Sequence, residues 1–266
     1  MFTERITLKL NIYQIDAFTK NVFEGNPAAI CPLEKWLDDI TMQKIANENN
    51  LSETAFFVKE NDMFHIRWFT PSSEVDMCGH ATLASAYVIF EILNYQENEI
   101  IFNSKSGILK VSKNNDKLKM DFPIQEIIKC DTPSNLLKAF EIKPIECYKS
   151  MDYILVFENE DDILNTKPNL DLLKDIDLRG IIITSKSQTY DFINRFFAPK
   201  YGIDEDPVTG SAFTQLIPYW HNVLSKHTFR AKQVSQRGGE VFCSLKNNRV
   251  EISGYAKKYL EGIIEI

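Results

Sequence analysis

The chain has 266 residues, 44% apolar and 25% charged, a length that allows one large domain or two of ordinary size. Its 30 basic and 37 acidic residues leave a net charge of −7, and no basic cluster stands out. That balance argues against a nucleic-acid backbone or an anionic lipid surface as a partner.

The N-terminal stretch MFTERITLKLNIYQIDAF alternates apolar and polar residues and carries charges early, the pattern of a strand rather than of a secretion signal. No run of 18 apolar residues follows, so no membrane span is expected and the cytoplasm is the default location. Strands are predicted at Leu8–Phe18, Thr54–Val58, Phe64–Phe69, Ile100–Phe102, Ile108–Ser112 and Lys117–Phe122. In the second half they are predicted at Tyr153–Phe157, Gly180–Thr184, Asp191–Phe197, Gly239–Leu245 and Arg249–Gly254. Two long apolar helices are predicted at Gly79–Leu93 and Gly210–Leu224, and shorter ones at Thr41–Asn49 and Ser134–Phe140. The regular alternation of strand and helix that builds a parallel sheet is missing.

The five cysteines, Cys31, Cys78, Cys130, Cys147 and Cys243, are odd in number and scattered, without CxxC or Cys/His ligand spacing. The four histidines, His65, His80, His221 and His227, form no HExxH. Neither a disulfide framework nor a metal site is expected.

The two halves share an order of elements. Phe69-Thr70-Pro71 leads through acids at Glu74 and Asp76 to Gly79-His80-Ala81 and an apolar helix. Phe197-Ala198-Pro199 leads through Asp204-Glu205-Asp206 to Gly210-Ser211-Ala212 and a second one. A Ser, a Gly and a strand pair follow each helix. This suggests internal duplication. The first helix is apolar around most of its circumference and must be buried. Two units, each a curved sheet wrapped on a central helix, satisfy both observations. If the units face each other, the two helix N-termini aim unpaired amides into one cleft, where glycines at positions 79 and 210 let a ligand approach.

GNPAAI (25–30), LSETAFF (51–57), RWFTPSSEVDMCGHATLASA (67–86), EDPVTGSA (205–212) and SQRGGE (235–240) together resemble the signature blocks of the PhzF-like phenazine-biosynthesis family. The blocks span nearly the whole chain in the right order. The resemblance implies the diaminopimelate-epimerase fold class: α/β (α+β), two pseudo-symmetric lobes, each a curved, mostly antiparallel or mixed sheet or barrel around a central α-helix. The expected division is residues 1–122 plus 258–266 for the first lobe and 123–257 for the second.

By the same resemblance Glu53 is the general acid/base, His80 orients substrate or relays the proton, and Asp206 shares it. Gly79, Gly210 and Ser211 line a carboxylate site, with Asn26 as a further substrate-binding candidate. Each has a plainer reading: Glu53 as a strand-side carboxylate, His80 as a core histidine, Asp206 and Ser211 as caps, Asn26 as a turn residue. Desolvation beside Ala55, Phe56 and Phe57 would suit Glu53 to proton transfer. Diaminopimelate epimerases exchange a proton between two cysteines. Here EDPVTGSA has none, which leaves Cys78 as a small packing residue. Where the family often has histidine after GSA, this chain has Phe213, a change that alters pocket polarity or repacks the helix. The expected activity is a cofactor-independent isomerase or epimerase of a small carboxylate, forming a homodimer. A non-catalytic small-anion-binding protein and a thiol-dependent racemase are the competing readings.

Overall fold

The computed structural model describes residues 7–266; the first part of the predicted N-terminal strand, Met1–Ile6, lies outside the described residues. Contacts divide the chain into two units. One holds the described residues up to Phe23, Pro27–Leu118 and Tyr255–Ile266; the other holds Glu24–Asn26 and Lys119–Gly254.

The first unit runs β1 (Lys9–Ala17), β2 (Asn26–Leu33), α1 (Asp39–Asn49), β3 (Glu53–Glu60), β4 (Met63–Phe69), β5 (Glu74–Val75), α2 (Gly79–Tyr87), β6 (Glu99–Ser104) and β7 (Gly107–Asn114). The chain crosses to the second unit within β8 (Lys117–Pro123). There follow β9 (Ile128–Lys129), α3 (Ser134–Ala139), β10 (Glu146–Lys149), β11 (Tyr153–Val156), α4 (Glu160–Asn165), α5 (Leu170–Leu173), β12 (Ile181–Lys186) and β13 (Phe192–Phe197). Next come α6 (Phe213–Leu224), β14 (Thr228–Gln233), β15 (Gly239–Lys246) and β16 (Arg249–Gly254). Finally β17 (Ala256–Glu265) lies antiparallel on β1, from Lys9 opposite Glu265 to Ala17 opposite Ala256.

The duplication is visible in the strand pairing. β2 pairs parallel with β3, β3 antiparallel with β4, β4 parallel with β6, and β6 antiparallel with β7. β11 pairs parallel with β12, β12 antiparallel with β13, β13 parallel with β14, and β14 antiparallel with β15. In each series the long helix, α2 or α6, connects the third and fourth strands. The crossovers are what make parallel neighbours possible without regular strand–helix alternation.

The repeat also has a side-chain counterpart two residues upstream of the shared Phe-x-Pro. Arg67 Nε and Nη2 donate to Glu74 Oε1 and Oε2 at 2.7 and 2.8 Å. Arg195 Nε and Nη2 donate to Glu205 Oε1 and Oε2 at 2.7 and 2.9 Å. Each guanidinium also lies over the phenylalanine two residues on, Phe69 at 5.2 Å and Phe197 at 5.0 Å. The acidic loop before each long helix is therefore clamped by a bidentate Arg–Glu pair rather than left free. The hydrogen bonds from Arg67, then that from Lys105, hold Glu74 well below the usual carboxylate range, at about 2, against burial, which acts the other way.

The long helices form the centre of each unit. In α2 every residue from His80 to Ala86 is buried, and the helix packs on β1, β3 and β17. It ends in a π-helical turn, Val88–Ile92, where an uninterrupted helix to Leu93 was expected; widened turns of this kind interrupt the α ladder. The second helix likewise opens with a 3₁₀ turn, Gly210–Ala212, before the α-helix begins at Phe213. Phe213 is fully buried with its ring 6.2 Å from Phe192, so the phenylalanine that departs from the family pattern packs in the core.

Candidate active site

In the first unit, Asn50 ends α1 in a left-handed conformation, and the chain re-enters the sheet at Glu53. The parallel register sets Glu53 beside Ala28 of GNPAAI. The following Thr54, Ala55 and Phe56 are all buried, which fixes the base of the glutamate side chain. Its carboxylate meets the start of α2: His80 Nε2 lies 3.0 Å from Glu53 Oε2, with side chains 6% and 12% exposed. The distance is that of an ion pair, yet Oε2 is buried and lacks a well-aligned hydrogen-bond donor. It retains accepting capacity that a proton or a substrate hydrogen bond can use.

Cys78 precedes the helix in an extended conformation and caps it without a side-chain hydrogen bond. Its carbonyl is taken by Thr82, through the backbone N–H at 3.1 Å and the hydroxyl at 2.5 Å. The first-turn amides of α2, at Gly79 and His80, thus begin a rigid helix whose positive end lies beside the carboxylate. Cys78 Sγ lies 3.5 Å from His80 Nδ1.

Burial alone disfavours an imidazolium at His80, but its interactions with Cys78 and Glu53 outweigh burial, so its pKa is raised well above the ordinary 6.5. Burial, followed by the charge of Glu53, pushes the Cys78 thiol up to about 11. Cys78 is therefore protonated near neutral pH.

Glu53, Cys78 and His80 also present three ligand atoms within 4.8 Å of one another. An O/S/N donor set of this kind suits zinc in principle. Spacing gave no hint of it, because Glu53 comes from a different strand. A carboxylate beside an imidazole is also the arrangement that general acid–base proton transfer uses.

In the second unit the loop before α6 gathers the other candidates. Asp206 Oδ1 accepts from Asn26 Nδ2 at 2.8 Å, and Oδ2 accepts a short hydrogen bond from the Thr209 hydroxyl. Asn26 also donates to the Val208 carbonyl at 3.0 Å. Its two amide hydrogens are thus spent on the loop that carries Asp206. Gly210 and Ser211 form the 3₁₀ turn that follows, with Thr214 Oγ1 donating to the Ser211 carbonyl at 2.7 Å.

Sequence reasoning missed Gln233, which organises this loop. The side chain is fully buried. Oε1 accepts from the Thr209 N–H at 2.9 Å and from Asn194 Nδ2 at 3.0 Å. Nε2 donates to the Asp206 carbonyl at 2.7 Å and to Thr209 Oγ1 at 3.3 Å. Only a primary amide satisfies two donors and two acceptors at once in this geometry. SQRGGE contributes as well: Ser235 Oγ donates to the Pro207 carbonyl at 2.7 Å, and Arg237 Nε donates to the Gly25 carbonyl at 2.8 Å.

The structure thus brings together Glu53, Gly79 and His80 in one unit, and Asn26, Asp206, Gly210 and Ser211 in the other. Among the described residues no helix is long and apolar enough to cross a membrane.

The family model for phenazine biosynthesis-like proteins matches residues 15–262. An uncharacterized isomerase of Pseudomonas aeruginosa is 45% identical over 97% of this chain and 100% of its own length. The phenazine biosynthesis-like domain-containing protein of Homo sapiens is 38% identical over 97% of this chain and 99% of its own. A crystal structure of a PhzF-family protein from Enterococcus faecalis superposes with a TM-score of 0.95 at 43% identity, covering 97% of this chain and 100% of that one. A hydroxyproline epimerase from Agrobacterium vitis shares the fold, with a TM-score of 0.63 at 9% identity, covering 97% of this chain and 93% of that one.

Proposed function

This chain belongs to the phenazine biosynthesis-like, or PhzF, family, and from that premise we propose that it moves a proton at carbon in a small carboxylate metabolite. It is an isomerase. The observation that carries the reading is the buried Glu53 carboxylate paired with His80 at the first turn of α2.

In the proposed cycle Glu53 removes a proton from a carbon next to an activating group and returns it to the same or another carbon. His80, 3.0 Å away, fixes the orientation of the Glu53 carboxylate. The amides of the first turn of α2 stabilise the negative charge that develops on the substrate. Fixed dipoles need little reorganisation during the step, so the proposed reaction runs on the chain's own residues. By the resemblance to the family, Asp206, Gly210 and Ser211 are the second unit's candidates for substrate contact. Asn26 and Gln233 hold Asp206 in place.

The experiment is solvent deuterium incorporation into amino acids and cyclic carboxylates, followed by mass spectrometry. Incorporation by the wild-type chain, lost in Glu53→Gln, is the expected result. Binding of a small anion without any exchange would favour the non-catalytic reading instead. The homodimer implied by the family resemblance is tested by sizing in solution.

A further inference from the structure

We infer that Cys130 and Cys147 form an oxidation site at which a low-molecular-weight disulfide or a peroxide installs a cross-strand disulfide. The pair lies in the second unit and takes no part in the proposed chemistry. β9 and β10 run antiparallel, with Lys129 opposite Tyr148 and Ile128 opposite Lys149. One step further along that register Cys130 faces Cys147, and the Cys130 N–H donates to the Cys147 carbonyl at 3.0 Å. The two Sγ atoms are 3.6 Å apart. Directly opposed residues in an antiparallel pair have Cα atoms roughly 4.5–5.5 Å apart, inside the span a disulfide bridges. Closing the sulfurs to a bond of about 2.05 Å therefore takes side-chain rotation rather than backbone movement.

The two thiols are suited to different steps. Cys130 is partly exposed and open to a soluble oxidant, whereas Cys147 sits in the core cluster beside Tyr153 and Leu155. Burial, then the hydrogen bond with Cys130, pushes the Cys147 thiol up to about 12, so Cys147 starts no reaction by itself. With oxidised glutathione, the Cys130 thiolate attacks one sulfur and releases one glutathione thiolate. Cys147 gives up its proton and attacks the mixed disulfide at Cys130, releasing the second glutathione. Two protein thiols lose two electrons and two protons, and one glutathione disulfide becomes two glutathiones. The cross-link ties the short strand β9 to β10 and closes the segment that carries α3.

Cys31, Cys78 and Cys243 are buried, and burial pushes each thiol up. They serve as internal controls for selectivity.

The test uses the intact native chain with oxidised glutathione, followed by intact-mass measurement and non-reducing peptide mapping. The expected product is lighter by about 2 Da. It contains the linked Cys130 and Cys147 peptides, reverts with dithiothreitol and unfolds at a higher temperature than the reduced chain. Cys130→Ser and Cys147→Ser should each abolish the linked peptide. A stable glutathione adduct on Cys130 without closure would overturn the inference, as would a link involving any other cysteine. Since the readout is covalent, it stands or falls separately from the isomerase reading.

Discussion

His80 Nε2 sits 3.0 Å from Glu53 Oε2, and this pairing joins the first residue of a sheet strand to the first turn of a buried helix. Burial works against an imidazolium in this position, and the interactions with Cys78 and Glu53 raise the His80 pKa in spite of it. Replacing the carboxylate should therefore be felt first at His80 and at the proton it helps to move.

Glu53→Gln keeps the shape of the side chain and removes its basicity. Exchange of substrate hydrogen with solvent should fall by at least about 10²-fold, the typical contribution of a positioned acid/base. The urea midpoint should fall near neutral pH, where the interaction with His80 stabilises the fold, so exchange is compared under conditions in which the variant is folded. Exchange at the wild-type rate in a folded Glu53→Gln chain removes Glu53 from the mechanism.

The same substitution reports on His80 by pH titration. In the wild type the folded pKa lies above the unfolded 6.5, so the pair's stabilisation is complete below 6.5 and is lost as pH rises through the folded value. In Glu53→Gln one of the interactions that oppose burial is removed, and the His80 pKa should fall below its wild-type value. Imidazole chemical shifts across pH 5–9 measure both, with His65, His221 and His227 as references. An unchanged His80 titration in the variant means that Glu53 is not its partner.

Cys78→Ala distinguishes the carboxylate route from a thiol route. The thiol is held at about 11 and is buried, so it is a poor proton acceptor near neutral pH. The variant should retain exchange within a few-fold and lose about 1 kcal/mol to the small cavity. Loss of exchange in a folded Cys78→Ala chain identifies the thiol as the proton-transfer group.

A chelator experiment addresses the same three residues from another side. If Glu53 and His80 act by proton transfer alone, exchange should be unchanged after dialysis against EDTA. Loss on dialysis with recovery on added zinc would assign Glu53, Cys78 and His80 as ligands instead.

What the sequence revealed and what it hid follow from separation along the chain. β4, β7 and β13 were legible because alternation and turn signals are local. β2 was hidden by Pro27 and Pro32, which mask a strand that β3 nevertheless pairs with in parallel. The Gly79 and Gly210 helix starts were legible from the Phe-x-Pro, acid and glycine pattern, but the π turn and the 3₁₀ turn were not, since both depend on packing. Glu53 and His80 were found through the family blocks; nothing in their spacing shows that they touch. The Arg67–Glu74 and Arg195–Glu205 clamps extend the repeat upstream of where the sequence comparison began. Gln233 had no local signal, because its meaning lies in partners reached through the fold, with Asp206 and Thr209 in a different loop.

The Arg67–Glu74 clamp makes a stability prediction with a definite pH window. Glu74 titrates at about 2 in the folded chain against 4.5 when unperturbed. A depressed carboxylate pKa means that stabilisation is present above 4.5 and is lost as pH falls from there through about 2. The clamp is partly solvated and Lys105 shares it at 2.5 Å, so screening reduces its net worth to about 1 kcal/mol. Glu74→Gln should therefore cost about that much at pH 7, and the gap to wild type should narrow steadily below pH 4.5. Urea titrations at pH 7, 5, 4 and 3 measure the gap directly. A penalty that stays constant down to pH 3 would mean that the glutamate contributes through shape and neutral hydrogen bonds rather than charge, and would remove electrostatics as the reason both acidic loops are clamped by arginine.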